Sequence, residues 1–288
     1  MADQSVLHKR LLGTQLNRLR EDAKVTLEEA GDRLGRTTRT VRRFEDGDTL
    51  PDKLQLDALC DLYGVDPEVR KQLESLRELA RQPVWWSHLG PRPPATSAML
   101  AMESTAHRIR DFDHNAIPGL LQTTSYTANN IRAVEPGLSP QQVESAVKLR
   151  TERQARIWQR ENPPEAHFLI DEAALWRIAG SGESKRAQFS RLLPPFLAPT
   201  VTIQIVPFSA GPHPSLGTYR IFDLDLDSNT GIKGVYVEGS ATQQGVIIEN
   251  ESEIAQYELV FEQTRAKAYS PSESARYIKE RIRGIADD

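Results

Sequence analysis

The chain has 288 residues, which at roughly 100–200 residues per domain predicts two domains. Hydrophobic residues make up 39% and charged residues 26% of the sequence, a composition typical of globular proteins. The single cysteine, Cys60, excludes a disulfide framework and a cysteine-based zinc site within one chain, and it is typical of a reducing cytoplasm. Taken as an average, the net charge of −4 argues against a nucleic-acid-binding protein.

The first eighty residues are predicted to form five helices. Leu12, Leu16 and Leu19 recur at helical spacing on the first helix, from about residue 8 to 22. Capping residues and glycines mark the starts and ends of the following helices. The caps are Thr26 with Glu29, Thr37 or Thr38, Pro51-Asp52 and Asp66-Pro67, and the terminating glycines are Gly35, Gly47 and Gly64. On the fourth helix, Leu54, Leu59 and Leu62 are expected to face inward.

A stretch rich in proline and tryptophan predicts a linker over residues 83–95, between domains at 1–82 and 96–288. Beyond it, periodicity predicts helices over 97–112, 125–133, 139–160, 251–267 and 271–285, and strands over 166–170, 200–206, 218–224, 235–238 and 245–248. The predicted fold class is therefore α+β and multidomain, with an N-terminal all-α five-helix domain followed by an α+β domain.

The spacing from Thr26 to Gly47 predicts a helix-turn-helix, whose second helix would lie in the DNA major groove. In that helix Val41 and Phe44 share one face and are expected to anchor it. The remaining faces carry the candidate base-contacting residues Thr38, Arg39, Arg42 and Arg43. Arginine suits this role because its planar fork of donors matches the two major-groove acceptors of guanine as well as phosphate.

The local distribution of charge favours DNA binding, in contrast to the average. Residues 1–82 carry 15 basic and 16 acidic side chains, but five arginines and no acid lie between Asp32 and Glu45. The sequence therefore confines positive potential to one helix and its approach. The alternative is a solvent-exposed arginine face on an ordinary helical bundle.

Several ordered motifs in this region resemble the phage-repressor (Cro/C1, xenobiotic-response-element) helix-turn-helix family. The motifs are Gly13–Glu21, Thr26–Glu29, Arg33–Gly35 and Arg43–Gly47. The resemblance implies base contacts from Thr38, Arg39 and Arg43, with Thr37 as a helix cap and phosphate donor. It also implies a phosphate-binding glutamine after the Thr26 cap, where this chain has Leu27; Arg18, Arg36 or Arg42 are the candidate replacements.

The second domain resembles the C-terminal domain of actinobacterial antitoxin-like transcriptional regulators. Three motifs carry the resemblance: Ile117–Thr123 with Tyr126, Asp171–Leu175, and Val206–Gly211 with His213-Pro214. The resemblance implies regulation through a small partner protein encoded nearby, or through a ligand. The candidate binding residues are Ile117, Pro118, Leu120, Leu121, Phe208 and His213, although core packing is the alternative for the apolar loop residues.

No arrangement in the sequence predicts catalysis. His213–Gly217 lacks the first glycine of a nucleophile elbow and precedes a predicted strand where that motif requires a helix. Asp171 is expected to cap a helix over 173–178. His107 and Asp111 would share a helical face, but no third ligand follows, so no metal is expected. We expect no cofactor and no enzyme activity, and we expect Trp158 and Trp176 to lie in the core.

The first 25 residues hold no long apolar segment, and prolines interrupt the most apolar later stretch, so a cytoplasmic protein without a membrane span is expected. The leading hypothesis is a DNA-binding transcription regulator that acts as a homodimer, since one recognition helix contacts few base pairs. The alternatives are an antitoxin-like protein that mainly sequesters a small partner, with autoregulatory DNA binding, and an enzyme with a DNA-binding appendage.

Overall fold

The computed structural model describes residues 5–81, 83–90, 93–194, 199–214, 216–224, 232–239 and 245–285. The chain divides into two compact units, 1–104 and 105–288. The linker over 83–95 stays a prediction, because the division falls after it. Ser215, in the segment compared with a nucleophile elbow, lies outside the described residues. Within the described residues, no helix combines the length and apolarity needed to cross a membrane.

The first unit contains the five predicted helices. Their bounds are Ser5–Asp22 (α1), Leu27–Leu34 (α2), Thr38–Glu45 (α3), Lys53–Tyr63 (α4) and Pro67–Ala80 (α5). Leu12 and Leu16 of α1 meet Val41 and Phe44 of α3 in one buried core, so the anchoring face predicted for α3 is confirmed. Trp85 and Trp86 are also buried.

The inward-facing residues predicted for α4 are partly wrong. Leu54 is 81% exposed, whereas the buried residues of this helix are Leu56, Leu59, Cys60 and Tyr63. Those four follow the helical spacing i, i+3, i+4, i+7. Leu54 precedes Leu56 by two residues and therefore points to the opposite side of the helix.

A six-stranded mixed sheet organises the second unit. The strands are Ala106–Asp113 (β1), Glu165–Asp171 (β2), Val201–Val206 (β3), Tyr219–Leu224 (β4), Ile232–Val237 (β5) and Val246–Ile248 (β6). Their order is β3-β2-β1-β4-β5-β6, with β1, β2 and β3 parallel and the remaining pairs antiparallel. The α+β prediction is confirmed.

Helix α6, Pro94–Thr105, ends the first unit and leads into β1. The remaining helices connect and cover the strands of the second unit. They are Thr124–Val134 (α7), Pro140–Trp158 (α8), Glu172–Trp176 (α9), Gly182–Arg191 (α10), Glu251–Arg265 (α11) and Pro271–Arg283 (α12). Helix α11 contributes Ile254 and Phe261 to a core formed with Phe112, Leu169 and Val206 of the sheet.

The predicted helix over 97–112 is wrong in its second half, because α6 ends at Thr105 and β1 begins at Ala106. Strand β1 is central and pairs with both β2 and β4, and such long-range pairing overrides a local helical pattern. His107 and Asp111 consequently lie on a strand and share no helical face. No group of three potential ligands suited to a metal ion occurs within the described residues.

The core position expected for Trp176 is wrong, since this side chain is 58% exposed. The Arg281 guanidinium lies over its ring, 3.7 Å from the centroid, and its indole nitrogen donates to Glu172 at 3.2 Å. Trp158 is partly buried and donates to the Leu120 carbonyl at 3.1 Å. A tryptophan ring that has a polar partner is stable at a protein surface. The residue type alone therefore does not predict whether a tryptophan is buried.

Candidate nucleic-acid interface and second-domain site

The turn between α2 and α3 is built from two backbone signals in the sequence. Gly35 ends α2 in the left-handed conformation, with φ of 60°, where glycine carries no Cβ penalty. Thr37 then caps α3, its hydroxyl accepting from the backbone N–H of Thr40 at 3.4 Å. Of the two caps predicted, Thr37 is therefore the one used, and its hydroxyl is engaged within the turn.

The basic face of α3 points to solvent. Val41 and Phe44 are buried, while Thr38, Arg39, Arg42 and Arg43 are all exposed. At about 100° per residue, Arg39 lies almost opposite the midpoint of the two buried side chains. Within the described part of the chain, the guanidinium groups of Arg39, Arg42 and Arg43 form no ion pair or hydrogen bond. The helix thus presents an arginine face whose donors are available to a ligand.

A largely buried ion pair, which no local sequence motif predicts, fixes the end of α3. Arg20 at the end of α1 donates to the two carboxylate oxygens of Glu45 at 2.7 and 3.1 Å. It also donates to the Asn17 side chain at 2.7 Å and to the Val25 carbonyl at 3.1 Å. The Glu45 hydrogen bond raises the pKa of Arg20 above its ordinary value. The one signal of this ion pair in the sequence is Glu45 itself, an acidic residue at the end of an arginine-rich helix.

Close backbone contact fixes the same helix from α1. A Cβ placed on Gly13 would lie 2.6 Å from the carbonyl oxygen of Phe44 and 2.5 Å from that of Glu45. Both obstacles are backbone atoms, so a larger residue requires α1 and α3 to separate. Glycine therefore lets the two helices approach closely at this crossing.

The predicted phosphate-contacting residues occupy different environments. Arg36 is exposed, and Arg18 is also exposed with its Nε 3.7 Å from Asp22. Leu27 is partly buried against the core of the first unit. An apolar side chain in that position packs and cannot hold a phosphate, so any backbone clamp must come from the surrounding arginines or from Thr37.

The apolar loop that carries four of the candidate binding residues of the second domain is buried. Ile117, Leu120 and Leu121 are at most 1% exposed, and Pro118 is also buried. This burial supports the core-packing alternative, because these side chains present no free surface. Their role in binding stays a prediction.

Side-chain amides satisfy the backbone of this loop. Gln122 donates to the Ile117 carbonyl at 2.6 Å, Gln154 to the Gly119 carbonyl at 2.7 Å, and Gln188 to the Leu121 carbonyl at 3.0 Å. Buried carbonyl groups need such partners when no regular secondary structure supplies them. The apolar loop after β1 is therefore hydrogen-bonded to α8 through Gln154 and to α10 through Gln188.

Phe208 and His213 lie beyond the carboxyl end of β3, next to the carboxyl end of β2. Phe208 is 59% exposed, and its backbone N–H donates to Glu172 at 2.8 Å. His213 Nε2 lies 3.3 Å from a carboxylate oxygen of Asp171. The other Asp171 oxygen accepts from the Ala173 N–H at 2.8 Å, which confirms Asp171 as the cap of α9.

Comparison with known protein families extends over both units. A model described as a domain of unknown function, DUF5753, matches residues 96–280, well over half of the chain. The chain belongs to the DUF5753 family. A second model, described as a helix-turn-helix domain, matches residues 11–73 and includes all of α2 and α3. The helix-turn-helix prediction is thereby confirmed, and the DUF5753 match gives no activity for the second domain. Comparisons with curated proteins and with solved structures found no match.

Proposed function

We propose that this protein is a sequence-specific, DNA-binding transcription regulator in which α3 reads bases in the major groove. The exposed arginine face of α3, with its donors free among the described residues, is the observation that carries the proposal. Arg39 is the central base-reading residue, with Arg42, Arg43 and Thr38 around it. Arginine binds guanine in a bidentate manner, and such a contact discriminates between bases by about 1–3 kcal/mol.

The backbone contacts are assigned to Arg18, Arg36 and Thr37. Each phosphate contact releases counterions, so affinity falls with salt in proportion to the number of such contacts. Taken as a whole, the region 1–82 is nearly neutral, with 15 basic and 16 acidic residues. Non-specific DNA binding is therefore weak and easily abolished by salt.

The active form is a homodimer of the phage-repressor-like type that acts in the cytoplasm. A single α3 touches too few base pairs to select one genomic site. Two copies of α3 would read half-sites about 34 Å apart, one turn of B-DNA. The second domain regulates this binding through a small partner protein or a ligand.

Footprinting on operator DNA, isolated by selection from a random library with the full chain, tests the proposal. Arg39→Ala combined with Arg43→Ala is expected to abolish protection at physiological salt. Arg132→Ala combined with Arg177→Ala is the matched control, because both arginines are exposed residues of the second unit. Protection that persists in the first double variant would show that α3 is not the reading helix.

The alternative, an antitoxin-like protein that mainly holds a small partner, is favoured by one surface feature. Trp176 and Phe208, whose side chains are exposed, both donate to Glu172, the first through its indole and the second through its backbone N–H. Tryptophan is enriched in protein-interface hot spots. Co-purification with the product of the neighbouring gene, lost in Trp176→Ala, would favour this function; retention in that variant would count against it.

A further inference from the structure

A polar cleft lies on the α11 side of the sheet, near the amino ends of the parallel strands. Its volume is about 550 Å³, within the range of small-molecule sites. The cleft belongs entirely to the second unit. It is lined by Arg108, Arg110, Glu165, Ala166, His167, Pro199, Thr200, Thr202, Glu262 and Arg265.

The polar side chains form two rows across the sheet, of which the Arg108 row is exposed and the Arg110 row is partly buried. In register, Arg108 faces Glu165, and Arg110 faces His167, which faces Thr202. Two residues further along β1 and β2, the same face carries the buried Phe112 and Leu169. Polar groups that are removed from water cost stability unless they are hydrogen-bonded or paired, so the partners of the Arg110 row decide its role.

Two residues that line the cleft each have a buried polar atom without a partner among the described residues, namely Nε of Arg110 and the hydroxyl oxygen of Thr200. Arg110 uses Nη2 for Asp223 at 3.1 Å and for Glu258 at 2.7 Å, which leaves its Nε–H as a donor. A buried donor without an acceptor is costly, and a bound oxyanion removes that cost.

His167 supplies an acceptor beside these donors. The Gln204 amide nitrogen donates to the Tyr269 carbonyl at 2.6 Å, so the Gln204 oxygen faces His167 Nε2 at 2.8 Å. Nε2 therefore carries the proton and Nδ1 is the acceptor. Burial lowers the pKa of His167, which keeps the ring neutral near pH 7.

The charged groups lining the cleft are three guanidinium groups and two carboxylates. Arg108 lies 3.4 Å from the buried Asp223 and 3.7 Å from the exposed Glu165, and Arg265 pairs with Glu262 at 2.6 Å. Both arginine side chains are about half exposed. The pairs with Glu165 and Glu262 are exposed, and exposed ion pairs are weak. An incoming anion can thus recruit these two guanidinium groups.

We propose that this cleft binds a small organic anion, with a carboxylate or phosphate group held by Arg110, Arg108 and Arg265 and a donor group of the ligand facing His167 Nδ1. The inference deepens the proposed ligand-dependent regulation by assigning it a site and a ligand class. Binding is measured without DNA, so its failure would remove this site and leave the DNA-reading proposal untouched.

Calorimetric titration of the full chain with citrate and with adenosine 5′-monophosphate tests the carboxylate and phosphate arms separately. At least one probe is expected to bind saturably with Kd below about 1 mM. Arg108→Gln combined with Arg265→Gln should weaken that binding about tenfold or more, since two charge-assisted contacts are lost. Thr200→Val, which changes no charge and removes the unpartnered hydroxyl, should weaken it about threefold.

The matched control is Arg132→Gln combined with Arg177→Gln, which makes the same charge change on exposed residues outside the cleft and should bind like the wild type. Melting temperatures of all variants establish that they fold. If the double variant of Arg108 and Arg265 does not fold, Arg108→Gln alone replaces it. Absence of saturable binding for both probes up to about 10 mM, well above the expected Kd, would overturn the proposal. Equal weakening in the cleft variants and the control, or none in either, would also overturn it.

Discussion

Replacing Glu45 with glutamine is expected to loosen α3 without changing its surface. The carboxylate accepts from Arg20 at 2.7 and 3.1 Å, and the two side chains are only 8% and 12% exposed. Glutamine keeps the size but turns a charge-assisted pair into a neutral one and leaves the guanidinium partly unpaired. From the worth of such bonds in buried sites we expect a loss of about 2 kcal/mol, or roughly 30-fold in the local opening equilibrium.

Hydrogen–deuterium exchange of the full chain, followed on peptides covering residues 38–45, measures this opening directly. Exchange in Glu45→Gln should be about 30-fold faster than in the wild type. Asp46→Asn is the control, because it removes the same charge at the next residue, which is exposed. Exchange in Glu45→Gln within twofold of both the wild type and the control would refute the assigned role of the pair.

Three further predictions follow from burial and close contact. Gly13→Ala should destabilise the first unit by about 3 kcal/mol, because the new Cβ meets backbone atoms. The control Gly137→Ala, with open space around the new Cβ, should melt within about 1–2 °C of the wild type, as expected of a neutral surface change. Equal melting temperatures of the two variants would contradict the prediction. Burial raises the pKa of Asp111 to about 6, so its contribution to stability is present at low pH and lost as pH rises through 6. The stability of Asp111→Asn relative to wild type, from urea unfolding, should therefore rise by about 2–3 kcal/mol between pH 4 and pH 7, and a flat or falling difference would be inconsistent with this burial. The Cys60 thiol is fully buried, and burial raises its pKa to about 11. It should therefore react with a thiol reagent at pH 8 only after the protein unfolds. Prompt reaction of the native protein would disprove this prediction.

Much of the first unit could be predicted from its sequence because local signals define it. The capping box at Thr26, the left-handed Gly35 and the cap at Thr37 each act over three or four residues, and the structure contains all three. The Arg20–Glu45 pair joins residues 25 positions apart. No local pattern reports such a contact, so it required the fold.

The second unit shows the opposite balance. Residues 106–113 carry mixed polar and apolar side chains, and only pairing with β2 and β4 makes them a strand. The polar rows at Arg108 and Arg110 exist only because this segment is a strand, and a helical interpretation of the same residues does not predict them. The surface position of Trp176 depends on the fold in a related way, since its partners Arg281 and Glu172 come together only in the folded chain.

The most direct test of the central claim is the base preference of Arg39→Ala against that of Arg36→Ala. Affinities of the full chain are measured for the selected operator and for every single-base substitution of it, at two or more salt concentrations. If α3 reads sequence, Arg39→Ala loses about 1–3 kcal/mol of discrimination at one base pair, whereas Arg36→Ala weakens all sites uniformly and lowers the salt slope by about one. Unchanged discrimination at every base pair in Arg39→Ala would contradict the assignment of α3 as the reading helix.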